Sequence, residues 1–197
     1  MHGLVYIFTG TGKGKTSAAL GMALRAICDG QRVAWIAWYK DKNWDVSEYH
    51  AADILGKNFS LYIEGKGFQL PIQDTHIVKT VGKVKVARVK TGVVVDTASP
   101  AAHQEAAQNA LHLAKRLLQE QNVNVLVCDE LCQAAGDGLV SVADVLELLQ
   151  LRGDTHIILT GRNCPSELEA VADTVSNITK IKHAYDRGVM AVKGLDF

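Results

Sequence analysis

The chain is expected to fold as an α/β domain: a mostly parallel sheet with helices on both faces. Three observations point there. Apolar runs of strand length alternate with segments of helical periodicity. A glycine-rich loop joins the first such run to the first helix. Several strands end in polar or charged residues, as they do where a parallel sheet builds a binding crevice.

The elements follow in order. Leu4–Thr9 is a short apolar run of buried-strand type. Gly10 to Gly14 places three glycines in five positions. Lys15–Asp29 reads as a helix, because Ala18, Ala19, Met22, Ala23, Ala26 and Ile27 recur at i, i+3, i+4 spacing, and Gly30 stops it. Arg32–Tyr39 is a second buried strand, Asp45–Ile54 a short helix and Phe59–Ile63 a third strand. Ile77–Val95 breaks the pattern. It alternates Val with Lys or Arg around Gly82 and Gly92 and reads as an inserted β-hairpin. Its bases are Lys79, Lys83, Lys85, Arg88 and Lys90, and it holds no acid. Gln104–Gln121 is a long helix with Ser99-Pro100 as N-cap and N1. Val123–Cys128 is a strand, Ser141–Leu151 a helix capped by Ser141, and His156–Thr160 a strand. A helix begins at Ser166-Glu167-Leu168 after Pro165, and Asn177–Lys180 is read as an edge strand.

The 197 residues suit one domain, 1–197, with the hairpin as an insertion; there is no repeat, low-complexity tract or linker. Apolar residues make up 48% and charged residues 21%, an ordinary globular balance. Lys+Arg is 21 and Asp+Glu is 21, so no whole-domain charge draws nucleic acid or anionic lipid. No apolar run approaches the roughly 18 residues of a membrane span. The four cysteines form no C-x-x-C pair, and the start shows no secretory leader. A reduced, cytoplasmic setting without structural zinc is expected.

The chemistry is concentrated at the strand ends. Gly10-Thr11-Gly12-Lys13-Gly14-Lys15-Thr16 lies between a strand and a helix, where unpaired amides and the positive dipole end favour an anion. Glycines let the backbone wrap phosphate oxygens. Lys15 reaches terminal phosphates and the Thr16 hydroxyl ligates Mg²⁺. Thr9 stands where the usual phosphate loop begins with glycine. A dinucleotide fingerprint is disfavoured, because Lys15 occupies the place of its third glycine. Val125-Leu126-Val127-Cys128-Asp129-Glu130 ends a strand in two carboxylates, which beside the loop fits a metal site. On its own it fits a solvated strand end as well. Thr160-Gly161-Arg162 ends another strand and is expected to turn Arg162 toward the same crevice, to neutralise phosphate or hold a carboxylate; a structural ion pair is the alternative reading. Arg25 falls nearly three helical turns beyond Lys15, too far for periodicity to make it a ligand.

Together, TGTGKGKTSAALG (Thr9–Gly21), VCDEL (Val127–Leu131), LTGR (Leu159–Arg162), ADTV (Ala172–Val175) and KHAYDRGVMAVKGLDF (Lys182–Phe197) resemble the bacterial ATP:corrinoid adenosyltransferases. The resemblance extends along most of the chain apart from the hairpin, and the family shares the missing first glycine. It implies a RecA-like P-loop fold, a homodimer, and ATP bound with its triphosphate reversed, so that C5′ faces a reduced corrinoid. Co(I) attacks C5′ and tripolyphosphate leaves. It also implies that Gly10, Thr11, Gly12, Lys13, Gly14, Lys15 and Thr16 bind the triphosphate. Thr16 and Glu130, with Asp129, hold Mg²⁺ or Mn²⁺, and Arg25 lies near the nucleotide. Phe68, in Gly65-Lys66-Gly67-Phe68, matches an aromatic at the corrinoid face. The family's next Thr-Trp step is Gln69-Leu70 here, and Ala37 replaces a usual glutamine. Two alternatives stay open: a P-loop ATPase or kinase releasing ADP, and a non-catalytic protein that binds ATP or adenosylcorrinoid. The basic hairpin is read either as a solvated face or as a contact for a partner such as a reduced flavoprotein.

Overall fold

A computed structural model describes residues 2–44, 46–67, 77–81, 84–89, 92–96 and 98–196, with backbone alone for those between 77 and 96. Nine strands and six α-helices occur among the described residues. In chain order they are β1 (Val5–Thr9), α1 (Lys15–Cys28), β2 (Val33–Ala37), α2 (Ala51–Leu55), β3 (Phe59–Ile63), β4 (Ile77–Val81), β5 (Val84–Val89) and β6 (Gly92–Asp96). Then come α3 (Pro100–Gln119), β7 (Val125–Asp129), α4 (Leu131–Gly136), α5 (Val142–Gln150), β8 (His156–Thr160), α6 (Ser166–Val171) and β9 (Thr174–Asn177).

The main sheet has six strands in the order β3-β2-β7-β8-β1-β9, every pair parallel. All strands therefore end at the same edge, and β7, β8 and β1 are neighbours there. Period-two alternation sends β2 side chains to both faces. Ala34 and Ile36 join the core that includes Leu111, Leu126, Leu148 and Leu159, from α3, α5 and two strands. Val33 and Trp35 join the opposite core with Ala19 and Ala23 of α1. All five residues of β2 and of β7 are buried, as expected for strands covered on both sides. The small Ala19 and Ala23, at i and i+4 and almost fully buried, seat α1 against the sheet.

The two serine caps form as expected. Ser99 accepts from the Ala102 amide and Ser141 from the Asp144 amide. Asp45–Ile54 splits into a 3₁₀ turn, Ser47–His50, and α2; Asp45 lies outside the described residues. The edge strand is Thr174–Asn177 rather than Asn177–Lys180. Its ladder with β1 pairs Tyr6 with Thr174 and Thr9 with Asn177. Beyond it the Ile178 carbonyl turns to the Gly12 amide instead of extending the strand. The segment read as one hairpin is a three-stranded antiparallel sheet, β4-β5-β6. The run of three valines after Gly92 forms its own strand, consistent with β-branched preference. Gly82, Lys83 and Lys90 lie outside the described residues.

Candidate functional site

The loop between β1 and α1 is held by the neighbouring β9. The Gly12 amide donates to the Ile178 carbonyl at 2.7 Å, and the Ile178 amide to the Thr9 carbonyl at 2.8 Å. Gly10 has φ 101°, and a Cβ there would come within 2.2 Å of Asn177 Oδ1. Only glycine fits both the conformation and the space. Gly14, also left-handed, opens α1 without a side-chain cap, so the first amides of the helix are left for a ligand.

Lys15 is almost fully buried. Its Nζ donates to the Gly10 carbonyl at 3.0 Å and the Gly12 carbonyl at 2.9 Å, so the ammonium folds back into the loop it serves. Burial, and then the Arg162 guanidinium, hold its pKa below the ordinary lysine value. Thr16 Oγ1 donates to Asp129 Oδ1 at 3.1 Å, and Thr160 Oγ1 donates to the same oxygen at 2.7 Å. Asp129 Oδ2 takes Lys40 Nζ at 2.9 Å, and Lys40 also pairs with Glu48. The Lys40 pKa stands above the ordinary lysine value: burial alone lowers it, but Asp129 and Glu48 together outweigh that. Asp129 is completely buried and both its oxygens are engaged.

Glu130 differs from its neighbour. Its backbone sits at φ 66°, an uncommon conformation for a non-glycine residue, and turns the chain from β7 into α4. Its amide donates to Thr160 Oγ1 at 2.9 Å. Its Oε2 is buried and has no hydrogen-bond partner. Burial, and then the Asp129 charge, raise its pKa to about 7. A buried carboxylate oxygen without a donor fits a hard divalent cation that takes its other ligands from phosphate and water. Among the described residues no group of three or more His, Cys, Asp or Glu could hold a metal ion by itself. A cation here would thus depend on the nucleotide's own oxygens.

The tail returns to the loop. Lys13 Nζ pairs with Asp196 Oδ1 at 2.8 Å and donates to the Leu195 carbonyl at 2.9 Å. The hydrogen bond from Lys13 holds the Asp196 carboxyl below its ordinary value.

The structure brings Gly10, Gly12, Lys15, Thr16, Asp129 and Glu130 together at the strand ends, with Thr11 and Gly14 on the same loop; the exposed Arg162 acts on Lys15 and Glu130 through its charge, and Lys13 turns to Asp196. Arg25 is not among them: it is exposed in the last turn of α1, about 15 Å along the helix from Lys15. Phe68 lies outside the described residues. Two concavities, about 340 and 380 Å³, open beside the end of β3 and share Glu64, close to the Gly65-Lys66-Gly67 run. Sequence reasoning missed Lys40, Glu48 and Thr160. Lys40 follows β2, the sheet neighbour of β7, so only the strand order puts it beside Asp129.

A family model described as ATP:corrinoid adenosyltransferase BtuR/CobO/CobP matches residues 1–197. The chain is 29% identical over 197 residues to the corrinoid adenosyltransferase of Escherichia coli K12, covering all of this chain and 86% of that protein. It is 30% identical over 201 residues to the corrinoid adenosyltransferase of a Sinorhizobium species, covering 99% of this chain and 80% of that one. Among solved structures, the flagellar accessory protein FlaH of Methanocaldococcus jannaschii aligns with a TM-score of 0.48 at 11% identity, over 89% of this chain and 71% of that chain.

Proposed function

The chain belongs to the ATP:corrinoid adenosyltransferase family, BtuR/CobO/CobP, over its whole length, and from that premise we propose how its residues carry the reaction. The protein is a corrinoid adenosyltransferase, with ATP and a corrinoid as substrates. Residues 1–197 act as one RecA-like P-loop domain. Co(I) of the reduced corrinoid bonds to C5′ of ATP as the C5′–O bond breaks, so the 5′-deoxyadenosyl group is transferred and tripolyphosphate leaves. Co(I) is itself the nucleophile, so the protein needs no general base. Its task is to hold C5′ in line and to stabilise charge on the leaving tripolyphosphate.

The observation that carries this reading is the crevice itself. Lys15 lies folded into the loop, the Thr16 hydroxyl is held by Asp129, and the next residue, Glu130, keeps a carboxylate oxygen with no donor of its own. Lys15 exchanges its two loop carbonyls for phosphate oxygens, and Lys13 exchanges Asp196. Thr16 and Glu130 would ligate Mg²⁺ or Mn²⁺ directly. Asp129, with both oxygens engaged, would orient Thr16 and act on the ion from one shell further out. The ion, when bound, neutralises charge on the triphosphate. Arg162 supplies a further positive charge. Arg25 as a nucleotide contact and Phe68 as a corrinoid contact rest on the resemblance alone. So do the reversed triphosphate and the homodimer, whereas the cytoplasmic setting rests on the cysteine pattern. Among the described residues no helix is long and apolar enough to cross a membrane.

Incubation with ATP, Mg²⁺ and chemically reduced cobalamin is expected to discharge the Co(I) spectrum and release tripolyphosphate. Release of ADP would instead mark an ATPase or kinase. Binding of ATP without any product would mark a carrier.

A reduced flavoprotein is the proposed electron donor, with the basic segment Ile77–Val95, whose bases run from Lys79 to Lys90, as its docking face. Changing Lys83, Lys85 and Arg88 to glutamine is expected to slow the flavoprotein-driven reaction at low ionic strength and to spare the reaction with chemical reductant. Equal flavoprotein-driven rates for variant and parent at low salt would leave these bases as a solvated face.

A further inference from the structure

Cys132 and Cys164 are 32 positions apart in the chain, yet their sulfurs lie 3.1 Å from each other. Both are free thiols. Cys132 is completely buried in the first turn of α4, and Cys164 is partly exposed in the loop after β8. The contact is held from both sides by backbone packing. A Cβ at Gly161 would come within 2.4 Å of the Gln133 amide nitrogen and 3.0 Å of Cys132 Cβ, and one at Gly136 within 2.4 Å of the Asn163 carbonyl oxygen. The start of α4 and the segment 161–164 are thus pressed together at glycines, with the two thiols between them. The pair sits two residues beyond Glu130 on one side and two beyond Arg162 on the other.

We infer that Cys132 and Cys164 form a dithiol–disulfide pair, closed by hydroperoxide-type oxidants, that stiffens and displaces the Glu130 and Arg162 segments and so weakens nucleotide binding. Cys164 is the entry point, since it is the one that solvent reaches. Its sulfur attacks the peroxide O–O bond, giving a sulfenic acid and one water. The Cys132 sulfur then displaces the hydroxyl as a second water and forms the S–S bond. Two thiols lose two electrons and two protons, and one hydrogen peroxide becomes two waters. The sulfurs must approach by about 1 Å to reach the usual disulfide length of about 2.05 Å. The glycine contacts leave no slack at Gly161 or Gly136, so the movement is transmitted to the flanking residues. Co(I) persists only in reducing surroundings, so a site that reports oxidation at this crevice would hold back ATP when the corrinoid cannot be reduced. The thiol chemistry stands on geometry alone. Its effect on ATP rests on the function proposed above.

The test uses the full chain carrying Cys28→Ser, which removes the exposed thiol at the end of α1. The protein is treated with a small excess of hydrogen peroxide, blocked with N-ethylmaleimide and mapped by peptide mass. MgATP affinity is measured by calorimetry before and after oxidation. A Cys132–Cys164 crosslinked peptide, two hydrogens lighter, is expected. With it, MgATP affinity should fall at least about 10-fold, on the scale that ångström-level misplacement produces, and a phosphine reductant should restore it. Cys164→Ser and Cys132→Ser should each keep their affinity through the same treatment. Oxidation of Cys164 to a sulfinate with Cys132 still free would overturn the pair, and a crosslink with unchanged affinity would overturn its control of the site. If the reduced protein binds no MgATP, the nucleotide reading fails, and the peptide masses still decide the pair.

Discussion

Lys15→Ala and Thr16→Ala are each expected to lower turnover with ATP and chemically reduced cobalamin by at least about 100-fold, the scale seen when a preorganised charge-stabilising group is lost. The two residues fail for different reasons. Lys15 is a buried cation already inside the loop, held by the carbonyls of Gly10 and Gly12. Without it, the departing tripolyphosphate loses a buried cation held in place inside the loop. Thr16 is tied through Asp129 to β7 and, through Thr160, to β8. Its hydroxyl is placed before any ligand arrives, so its loss is a loss of preorganisation. Thr16→Ser keeps the hydroxyl and should retain most activity. The measurement is the initial rate of adenosylcorrinoid formation in proteins whose circular dichroism matches the parent. Near-parental rates in a folded Lys15→Ala protein would falsify the phosphate-loop assignment.

The second large effect separates the two acids that end β7. Glu130→Gln is expected to raise the Mg²⁺ requirement strongly and to leave the fold intact. Asp129→Asn is expected to act first on the fold. Asp129 is fully buried against Lys40, and removing one partner of a buried ion pair costs about 3–5 kcal/mol. Magnesium titrations of activity and denaturant melts of both variants decide the matter. A greater Mg²⁺ defect in a stable Asp129→Asn protein would transfer the ligand role to Asp129.

The same carboxyl predicts a pH signature in the metal-free protein. Its pKa is raised by burial, then by Asp129, from about 4.5 to about 7. A carboxyl raised on folding binds its proton more tightly in the native state. Its stabilising contribution is therefore full at low pH and is lost as pH climbs from about 4.5 through 7. The total is on the order of 3 kcal/mol. Metal-free Glu130→Gln should accordingly be more stable than the parent at pH 8 and should lack that slope. Mg²⁺ binding should weaken as pH falls through about 7, because the proton and the metal compete for one oxygen. A parent whose metal-free stability is flat between pH 5 and 8 would show that Glu130 is solvated rather than buried.

The parts of the site that were legible in the chain are those built by residues close in sequence. The phosphate loop is one turn between a strand and a helix, and its spacing alone places Lys15 and Thr16 at the helix start. The acidic end of β7 is visible in the same way, since an apolar run that stops at Asp129-Glu130 can hardly bury both acids without partners. The serine caps at Ser99 and Ser141 formed where their local pattern put them. Less legible was α4. Its six residues carry too little periodicity to be read, and it is launched by a left-handed Glu130 that propensity disfavours. The edge strand was displaced by three residues for a related reason. Pairing with β1, not local β-preference, chose Thr174–Asn177.

The sequence by itself determined the alternation of strands and helices, the glycine loop that opens α1 and the acids that end β7. Each depends on periodicity or on neighbours within a few residues. Only the tertiary structure decided that the two acids are different. Lys40 from beyond β2, Thr16 from the first turn of α1 and Thr160 from the end of β8 reach Asp129, and Glu130 is left with a buried oxygen unpaired. It also decided that the tail acid Asp196 rests on Lys13 and that Cys132 meets Cys164. In a parallel sheet every neighbouring strand arrives by a long crossover, so which side chains meet at the common edge is set by strand order. That order is a property of how the helices pack on the two faces, and no local stretch of the chain carries it.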